Sequence, residues 1–141
     1  MESVRVYLSG AMGSLSFEEQ NKWRKQIMEA ITYNYDCEKK PHFFNPVNYY
    51  NFEETRHRSE REVMEFDLNA VRNSDLLVVN FNDPKSIGTA MELMLAKEKN
   101  IPIIGFGVNG QAIHPWLLEC CTRVCESLKE TVEHIVNFYL N

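Results

Sequence analysis

A carboxylate in a helix that follows a buried strand is the most informative candidate for chemistry. Residues 76–79, Leu-Leu-Val-Val, form a short apolar run; turn-forming residues up to Gly88 and then helix-forming residues follow. This pattern predicts a buried strand, a loop and a helix. In an open parallel sheet, ligands bind beyond the carboxyl ends of the strands, where helix N-termini present free N–H groups. Glu92 lies about one turn into the predicted helix, on a face that could look back at such a ligand.

A simpler explanation also exists for Glu92, because acidic residues near helix N-termini interact favourably with the helix dipole. Its sequence neighbours favour a functional role. Met91, Leu93 and Met94 are apolar, as expected for a helix beside a buried seam. Gly88 lets the backbone approach a ligand closely, because it has no side chain.

Composition limits the classes of partner. The 141 residues are 44% hydrophobic, which predicts a single domain, residues 1–141, with its own core. The net charge of -5 argues against nucleic acid as the main partner, because that binding depends on Lys and Arg neutralising phosphates. A small-molecule ligand is expected instead. Since the sequence shows no signal-peptide pattern and no run of about 18 apolar residues, we expect a cytoplasmic protein without a membrane partner.

The cysteines do not indicate a metal or redox centre. Cys37, Cys120, Cys121 and Cys125 follow no recognised spacing for either. The adjacent Cys120 and Cys121 cannot both reach one tetrahedral metal without distortion. Buried free thiols are expected, and the sequence implies no metal ion and no organic cofactor.

Strand and helix patterns alternate along the chain. Residues 4–8 predict a first strand that ends in a glycine-containing turn, and Ser16 with Glu19 predicts a capping box at the start of a helix. Further strands are predicted at residues 42–44, 101–105 and 123–125, and further helices at residues 59–73, 116–121 and 128–140. This alternation predicts an α/β fold with a doubly wound, flavodoxin- or Rossmann-like parallel sheet of about five strands.

Three other features bear on the site. Residues 105–110 match G-x-G-x-x-G, but the dinucleotide fingerprint must open a helix directly after the first strand, so a loop carrying polar Asn109 is predicted. Residues 47–58 mix aromatic and charged side chains without a period, which suits either a lid over a site or a solvated loop. Asp67 falls near the apolar face of its helix, where a carboxylate is either paired or directed at a ligand.

Four segments resemble the nucleoside 2-deoxyribosyltransferase family, which includes the related nucleoside 5'-monophosphate N-glycosidases. They are residues 6–12 (VYLSGAM), 67–75 (DLNAVRNSD), 88–93 (GTAMEL) and 101–104 (IPII). Each segment is short, but together they occur in the family's order and cover most of the chain up to Phe106.

The resemblance implies roles for three residues. Glu92 would be the nucleophile that attacks the anomeric carbon, Tyr7 would hold it by a hydrogen bond, and Asp67 would help to protonate the leaving base. Retaining glycosyl transfer needs an ionised carboxylate below the sugar and an acid for the leaving group. A second base would then open the glycosyl-enzyme, which gives transfer, or water would open it, which gives hydrolysis.

Position 86 bears on the choice of substrate. Family transferases that use free nucleosides tend to carry a carboxylate there, against the sugar 5'-hydroxyl, whereas the monophosphate glycosidases place a serine against the 5'-phosphate. In this chain the residue is Ser86, which suits a phosphate at a helix N-terminus but is equally explained as an N-cap. Asp83 is near enough in the loop to replace the missing carboxylate.

We therefore predict a nucleoside 2-deoxyribosyltransferase that moves deoxyribose to another nucleobase through a glycosyl-Glu92 intermediate. The alternatives are a 2'-deoxyribonucleoside 5'-monophosphate N-glycosidase and a nucleotide-binding module without turnover. The resemblance also implies a role in nucleotide salvage and a homo-oligomer in which a neighbouring subunit completes the site. The predicted catalytic residues are Glu92, Asp67 and Tyr7. The predicted substrate-binding residues are Gly10, Met12, Asp83, Ser86, Gly88 and, towards the neighbouring subunit, Asn109. Four aromatic residues are candidates to stack an acceptor base: Phe44, Tyr49, Tyr50 and Phe52.

Overall fold

The computed structural model describes residues 2–12, 15–49 and 59–141. Residues 50–58, which include most of the segment predicted as a lid or loop, lie outside the described residues. Pro46–Asn48, at the start of that segment, form a single 3-10 turn.

The described strands form one parallel sheet, which confirms the predicted fold class. They are β1 (Ser3–Gly10), β2 (Lys40–Phe44), β3 (Leu76–Asn80), β4 (Ile103–Phe106) and β5 (Arg123–Val124), in the spatial order β2-β1-β3-β4-β5. The chain first crosses from β1 to β2 on one side and then to β3 on the other side of β1. The crevice between β1 and β3 is therefore the point where the winding reverses, which is where ligands bind in such sheets.

Helices cover both faces of the sheet. They are α1 (Phe17–Asn34), α2 (Glu60–Arg72), α3 (Ile87–Glu98), α4 (Pro115–Cys120) and α5 (Leu128–His134), the last continuing as a π-helical turn, Ile135–Tyr139. Helices α1 and α5 pack on one face, and α2, α3 and α4 pack on the other. The predicted capping box forms at the start of α1, where Ser16 Oγ accepts a hydrogen bond from Glu19 N. Such caps stabilise the first helical turn and define where it begins.

Each face of the sheet has its own hydrophobic core, and the side chains of β1 alternate between the two faces. Val6 and Leu8 point to the α1 and α5 side, whereas Tyr7 points to the α2 and α3 side. Because side chains two residues apart share a face of a strand, Ser9 follows Tyr7 towards α3. Two hydroxyl groups of β1 are thereby presented to the same helix layer.

Some boundaries differ from those predicted. β1 continues beyond residue 8 to Gly10, because Ser9 and Gly10 pair with Val79 and Asn80 of β3. β4 begins at Ile103 and not at Ile101, since Pro102 has no N–H to donate to a neighbouring strand. Residues 107–110 form a loop, as predicted, and no helix follows them before Pro115.

Gly107 and Gly110 provide a matched test of the loop after β4. Their φ angles, 81° and 73°, lie in the left-handed region, where a side chain costs about 1 kcal/mol. A Cβ on Gly107 would lie 2.3 Å from Asn80 Oδ1, whereas a Cβ on Gly110 would meet nothing within 4 Å. We therefore expect Gly107→Ala to lose about 1–3 kcal/mol more unfolding free energy than Gly110→Ala, as measured by urea denaturation. Equal losses would show that the loop is not packed tightly against Asn80.

Candidate active site

A pocket of about 280 Å³ opens at the carboxyl end of β1, between α2 and the beginning of α3. It occupies the point where the winding of the sheet reverses, the expected ligand position in this architecture. Its lining residues come from three places in the sequence: the end of β1, helix α2, and the N-cap and first turns of α3. They are Gly10 and Met12; Glu60, Val63, Met64, Asp67 and Leu68; and Ser86, Gly88, Thr89, Met91 and Glu92.

The beginning of α3 places Glu92 in this pocket. Ser86 is the N-cap, and its Oγ accepts hydrogen bonds from Thr89 N at 3.3 Å and from Thr89 Oγ1 at 3.0 Å. The next buried residue, Leu93, is completely enclosed and anchors the helix on the sheet. Glu92 lies in the second turn, immediately before this anchor, so its side chain is directed towards the end of β1.

Two hydroxyl groups of β1 surround the Glu92 carboxyl. Ser9 Oγ donates a hydrogen bond to Glu92 Oε1 at 3.1 Å. The Tyr7 hydroxyl is buried and forms no hydrogen bond of standard geometry, although it lies near enough to Glu92 to lower the pKa of that carboxyl. Burial raises the pKa of Tyr7 well above its usual range, with smaller contributions from Glu92 and Asp67. Tyr7 therefore remains a protonated donor close to the carboxylate.

The surroundings of Glu92 bring its pKa close to neutrality. Burial raises the pKa of the carboxyl from 4.5 to about 7, with a smaller upward contribution from the charge of Asp67. The nearby hydroxyl of Tyr7, the hydrogen bond from Ser9 and the positive charge of Arg24 oppose this rise. A carboxyl with this pKa ionises readily near pH 7, and its ionised form is a nucleophile.

Six of the predicted site residues line the pocket, and a seventh lies beside it. The lining residues are Glu92, Asp67, Gly10, Met12, Ser86 and Gly88. Tyr7 is not a lining residue, but it interacts with Glu92, which is. In the described part of the chain, Asp83 and Asn109 are not among the lining residues. Asp83 Oδ1 accepts a hydrogen bond from Lys85 N at 3.1 Å. Asn109 lines a separate cavity of about 420 Å³ with Val108 and Leu118, so its contribution to a neighbouring subunit stays a prediction.

Two of the predicted base-stacking rings support Tyr7 and do not line the pocket. Phe44 stacks on Tyr7 with ring centroids 5.3 Å apart, and Tyr49 stacks on Phe44 at 4.8 Å. Phe44 also lines a larger groove of about 530 Å³ beside β2. Tyr50 and Phe52 lie outside the described residues. The observed stack packs against the Tyr7 ring and limits its motion.

Sequence reasoning did not assign a role to two polar residues near Glu92. Ser9 could have been found from strand alternation, because it shares a face with Tyr7. Arg24 is fully buried on α1, although its charge suggests an exposed position. The signal was its spacing: Arg24 lies on the same helical stripe as Ile27 and Ile31, both of which are buried.

The described residues also bear on other predicted features. None of their helices is long and apolar enough to cross a membrane. Within the same residues, no group of three His, Cys, Asp or Glu side chains could hold a metal ion. The four cysteines are free thiols, as predicted, but only Cys125 is buried.

Comparison of the sequence with family models and with curated proteins finds no match. Solved structures do match. A conserved protein from Enterococcus faecalis superposes with a TM-score of 0.71 at 17% identity, over 94% of this chain and 97% of that chain. A 2-deoxyribosyltransferase from Bacillus psychrosaccharolyticus superposes with a TM-score of 0.67 at 16% identity, over 91% and 90%. For a CMP N-glycosidase from Clostridium botulinum the TM-score is 0.54 at 16% identity, over 95% and 99%.

The chain shares its fold with both enzymes. This finding agrees with the family resemblance of the four sequence segments. At these identities it establishes the architecture, while the reaction must be argued from the residues in the pocket.

The raised pKa of Glu92 predicts a specific pH dependence of stability. Because the folded-state pKa is raised from 4.5 to about 7, protonated Glu92 contributes its full stability below pH 4.5, and this contribution is lost as the pH rises through 7. Glu92→Gln cannot ionise and should escape this loss. We expect its advantage over the wild type to grow by about 2 kcal/mol between pH 4.5 and pH 8, less than the full shift would give because the residue is partly exposed to the pocket.

Urea unfolding at the two pH values measures this difference. Glu98→Gln is the matched control, because Glu98 is exposed at the end of the same helix and its replacement should leave the pH dependence of the wild type unchanged. Parallel pH profiles for the wild type and Glu92→Gln would show that Glu92 ionises without cost in the folded protein.

Proposed function

We propose that the protein is an enzyme of the nucleoside 2-deoxyribosyltransferase family that cleaves an N-glycosidic bond through a covalent glycosyl-Glu92 intermediate. The observation that carries this proposal is the position of the Glu92 carboxyl, hydrogen-bonded to Ser9 at 3.1 Å in a pocket that also contains Asp67. A nucleophilic carboxylate and a second carboxyl group on one pocket are the pair that retaining glycosyl chemistry requires. The shared fold with a 2-deoxyribosyltransferase and a CMP N-glycosidase supports the same conclusion.

In the proposed first step, ionised Glu92 attacks C1' of the deoxyribose. The two carboxyl groups share one proton in this step, which Asp67 carries while Glu92 is ionised. The bond between C1' and the base nitrogen breaks, its electron pair leaves with the base, and Asp67 transfers this proton to that base. Ser9 and Tyr7 orient the Glu92 carboxyl towards C1'. Because Tyr7 keeps its proton, it can donate a hydrogen bond to the carboxylate throughout this step.

In the proposed second step, a nitrogen of an acceptor base attacks C1' and breaks the ester bond to Glu92. The carboxylate is regenerated, and the acceptor's proton passes to Asp67, which restores the starting state. The apolar side chains of Val63, Met64, Leu68 and Met91 line the pocket and would contact a base while limiting access of water. Transfer of deoxyribose between bases is therefore our first choice.

Hydrolysis of a 2'-deoxyribonucleoside 5'-monophosphate is the second candidate. Ser86 and Gly88 line the pocket at the N-terminus of α3, where hydroxyl and N–H groups favour a phosphate. The Asp83 carboxylate, predicted as the alternative partner of a 5'-hydroxyl, is not among the described residues that line the pocket. This end of the pocket thus favours a phosphate over a free 5'-hydroxyl.

A chromatographic assay tests the proposal and separates the candidates. Purified protein is incubated with deoxyinosine or its 5'-monophosphate, each with and without adenine. Formation of deoxyadenosine or its monophosphate only when adenine is present indicates transfer, and release of hypoxanthine without an acceptor indicates hydrolysis. Thermal stabilisation by either substrate without any turnover would contradict the enzymatic proposal and indicate a binding module.

Removal of the nucleophile should abolish either reaction. We expect Glu92→Ala to lower kcat by about 10³-fold or more, because it removes the carboxylate that forms the proposed glycosyl ester. The helix should remain intact, since alanine is a strong helix former. Glu98→Ala, at the exposed end of the same helix, is the control and should retain full activity. Activity of Glu92→Ala close to that of the wild type would exclude the covalent mechanism.

Two substitutions at Ser86 test which 5' group is recognised. Aspartate and asparagine are both good N-caps, so Ser86→Asp and Ser86→Asn should both preserve α3. Only aspartate adds a negative charge that repels a phosphate. We expect Ser86→Asp to lose about tenfold more kcat/KM on the monophosphate than on the nucleoside, and Ser86→Asn to show no such selectivity. Equal losses on both substrates with Ser86→Asp would place the 5' group elsewhere.

A further inference from the structure

Arg24 is the one fully buried arginine among the described residues, and it lies directly behind the pocket wall. Its guanidinium donates to main-chain oxygens at the end of β1, from Nε to Leu8 O and from Nη2 to Gly10 O, both at 3.2 Å. Nη1 donates to Gln20 O within α1. The side chain therefore ties the first helix to the last residues of β1, where the pocket begins.

The absence of a side chain at Gly10 makes this approach possible. A Cβ on Gly10 would lie 3.0 Å from Trp23 Cζ2 and 3.5 Å from Arg24 Nη2. The guanidinium carbon of Arg24 also lies 4.6 Å from the centroid of the Trp23 ring, a favourable cation–π distance. Trp23 and Arg24 together fill the space behind the glycine that lines the pocket.

The same cluster extends to the next wall residue. Gln20, whose main-chain oxygen accepts from Arg24, donates through Nε2 to Met12 O at 2.5 Å and to Leu15 O at 2.9 Å. Met12 lines the pocket beside Gly10. Arg24 and Gln20 thus hold both Gly10, the last residue of β1, and Met12, the wall residue that follows it.

A buried cation needs compensation, because transfer of a charge out of water is costly. Within the described residues, no carboxylate forms a salt bridge with Arg24. Burial lowers the pKa of Arg24 to about 10, so it remains charged at neutral pH, and the carboxylates of Glu92 and Asp67 oppose this shift through their negative charge. The groups that compensate the charge of Arg24 are therefore those of the candidate active site.

We infer that Arg24 is a positioning residue of the active site, which fixes the end of β1 through its main-chain hydrogen bonds and places a buried positive charge behind the pocket wall. As far as it concerns catalysis, this inference rests on the proposed function. Among the described residues, the charged and titratable groups that act on Glu92 are Tyr7 from β1, Arg24 from α1 and Asp67 from α2, and Glu60 of α2 also lines the pocket. Within this part of the chain Arg24 is the one cation of the set, and the others do not favour ionisation of Glu92 through their charge.

The test measures the pKa of Glu92 directly, without substrate. Protein labelled with ¹³C at the glutamate carboxyl is titrated by NMR, and the Glu92 signal is identified by its loss in Glu92→Gln. We expect Arg24→Met to raise the pKa of Glu92 by about one unit and Arg24→Lys to leave it within about half a unit, because lysine keeps the charge. Lys25→Met, which removes an exposed charge from the same helix, is the control and should cause no shift.

The kinetic counterpart separates the charge of Arg24 from its hydrogen bonds. In the assay above, Arg24→Met should move the acidic limb of the kcat/KM profile upward by the same amount. Arg24→Lys should leave that limb in place and lower kcat, because an ammonium group cannot bridge Leu8 O, Gly10 O and Gln20 O with the geometry of a guanidinium.

An unchanged Glu92 pKa in folded Arg24→Met would overturn the inference, even if the protein turned over nucleosides. Conversely, a raised Glu92 pKa in a protein without any turnover would support the charge role and reject the proposed function. If Arg24→Met does not fold, Arg24→Lys decides: an unchanged Glu92 pKa with lowered kcat supports the inference, and a raised pKa overturns it.

Discussion

The hydrogen bond between Ser9 and Glu92 joins the two elements on which the candidate site depends. It connects the end of β1 to the second turn of α3, across 83 residues of sequence. The parallel pairing of β1 with β3 determines where β1 ends, and the burial of Leu93 determines how α3 approaches it. The carboxyl group is therefore held by two rigid elements of the fold and not by a loop, which limits its motion before any ligand arrives.

Burial and hydrogen bonding act against each other at this carboxyl. Burial alone would keep Glu92 protonated and unreactive, whereas strong pairing with a cation in direct contact would make it a poor nucleophile. The structure lies between these extremes: two hydroxyl groups flank the carboxyl, and the guanidinium of Arg24 acts from behind Gly10. A pKa of about 7 is the result of this balance, so the ionised form is accessible near neutral pH.

The fold could be predicted from the sequence because its signals are local. The apolar runs of β1 and β3 and the N-caps Ser16 and Ser86 each identify an element within a few residues. The contacts of the site are not local, and no periodicity reveals that Ser9 meets Glu92. Arg24 illustrates the same point, since a charged residue on a buried helical stripe becomes interpretable only when the main-chain oxygens of Leu8 and Gly10 are seen beside it.

The size of the pocket bears on how transfer between two bases would proceed. The described residues enclose about 280 Å³, at the lower end of the range for small-ligand pockets. A nucleoside and a free base together exceed such a volume, so in the proposed transfer the two bases would occupy this part of the site one after the other. A glycosyl ester on Glu92 would make this order possible, because it would retain the sugar while the first base leaves and the second enters. The proposed covalent intermediate would thus allow a pocket of this volume to exchange one base for another.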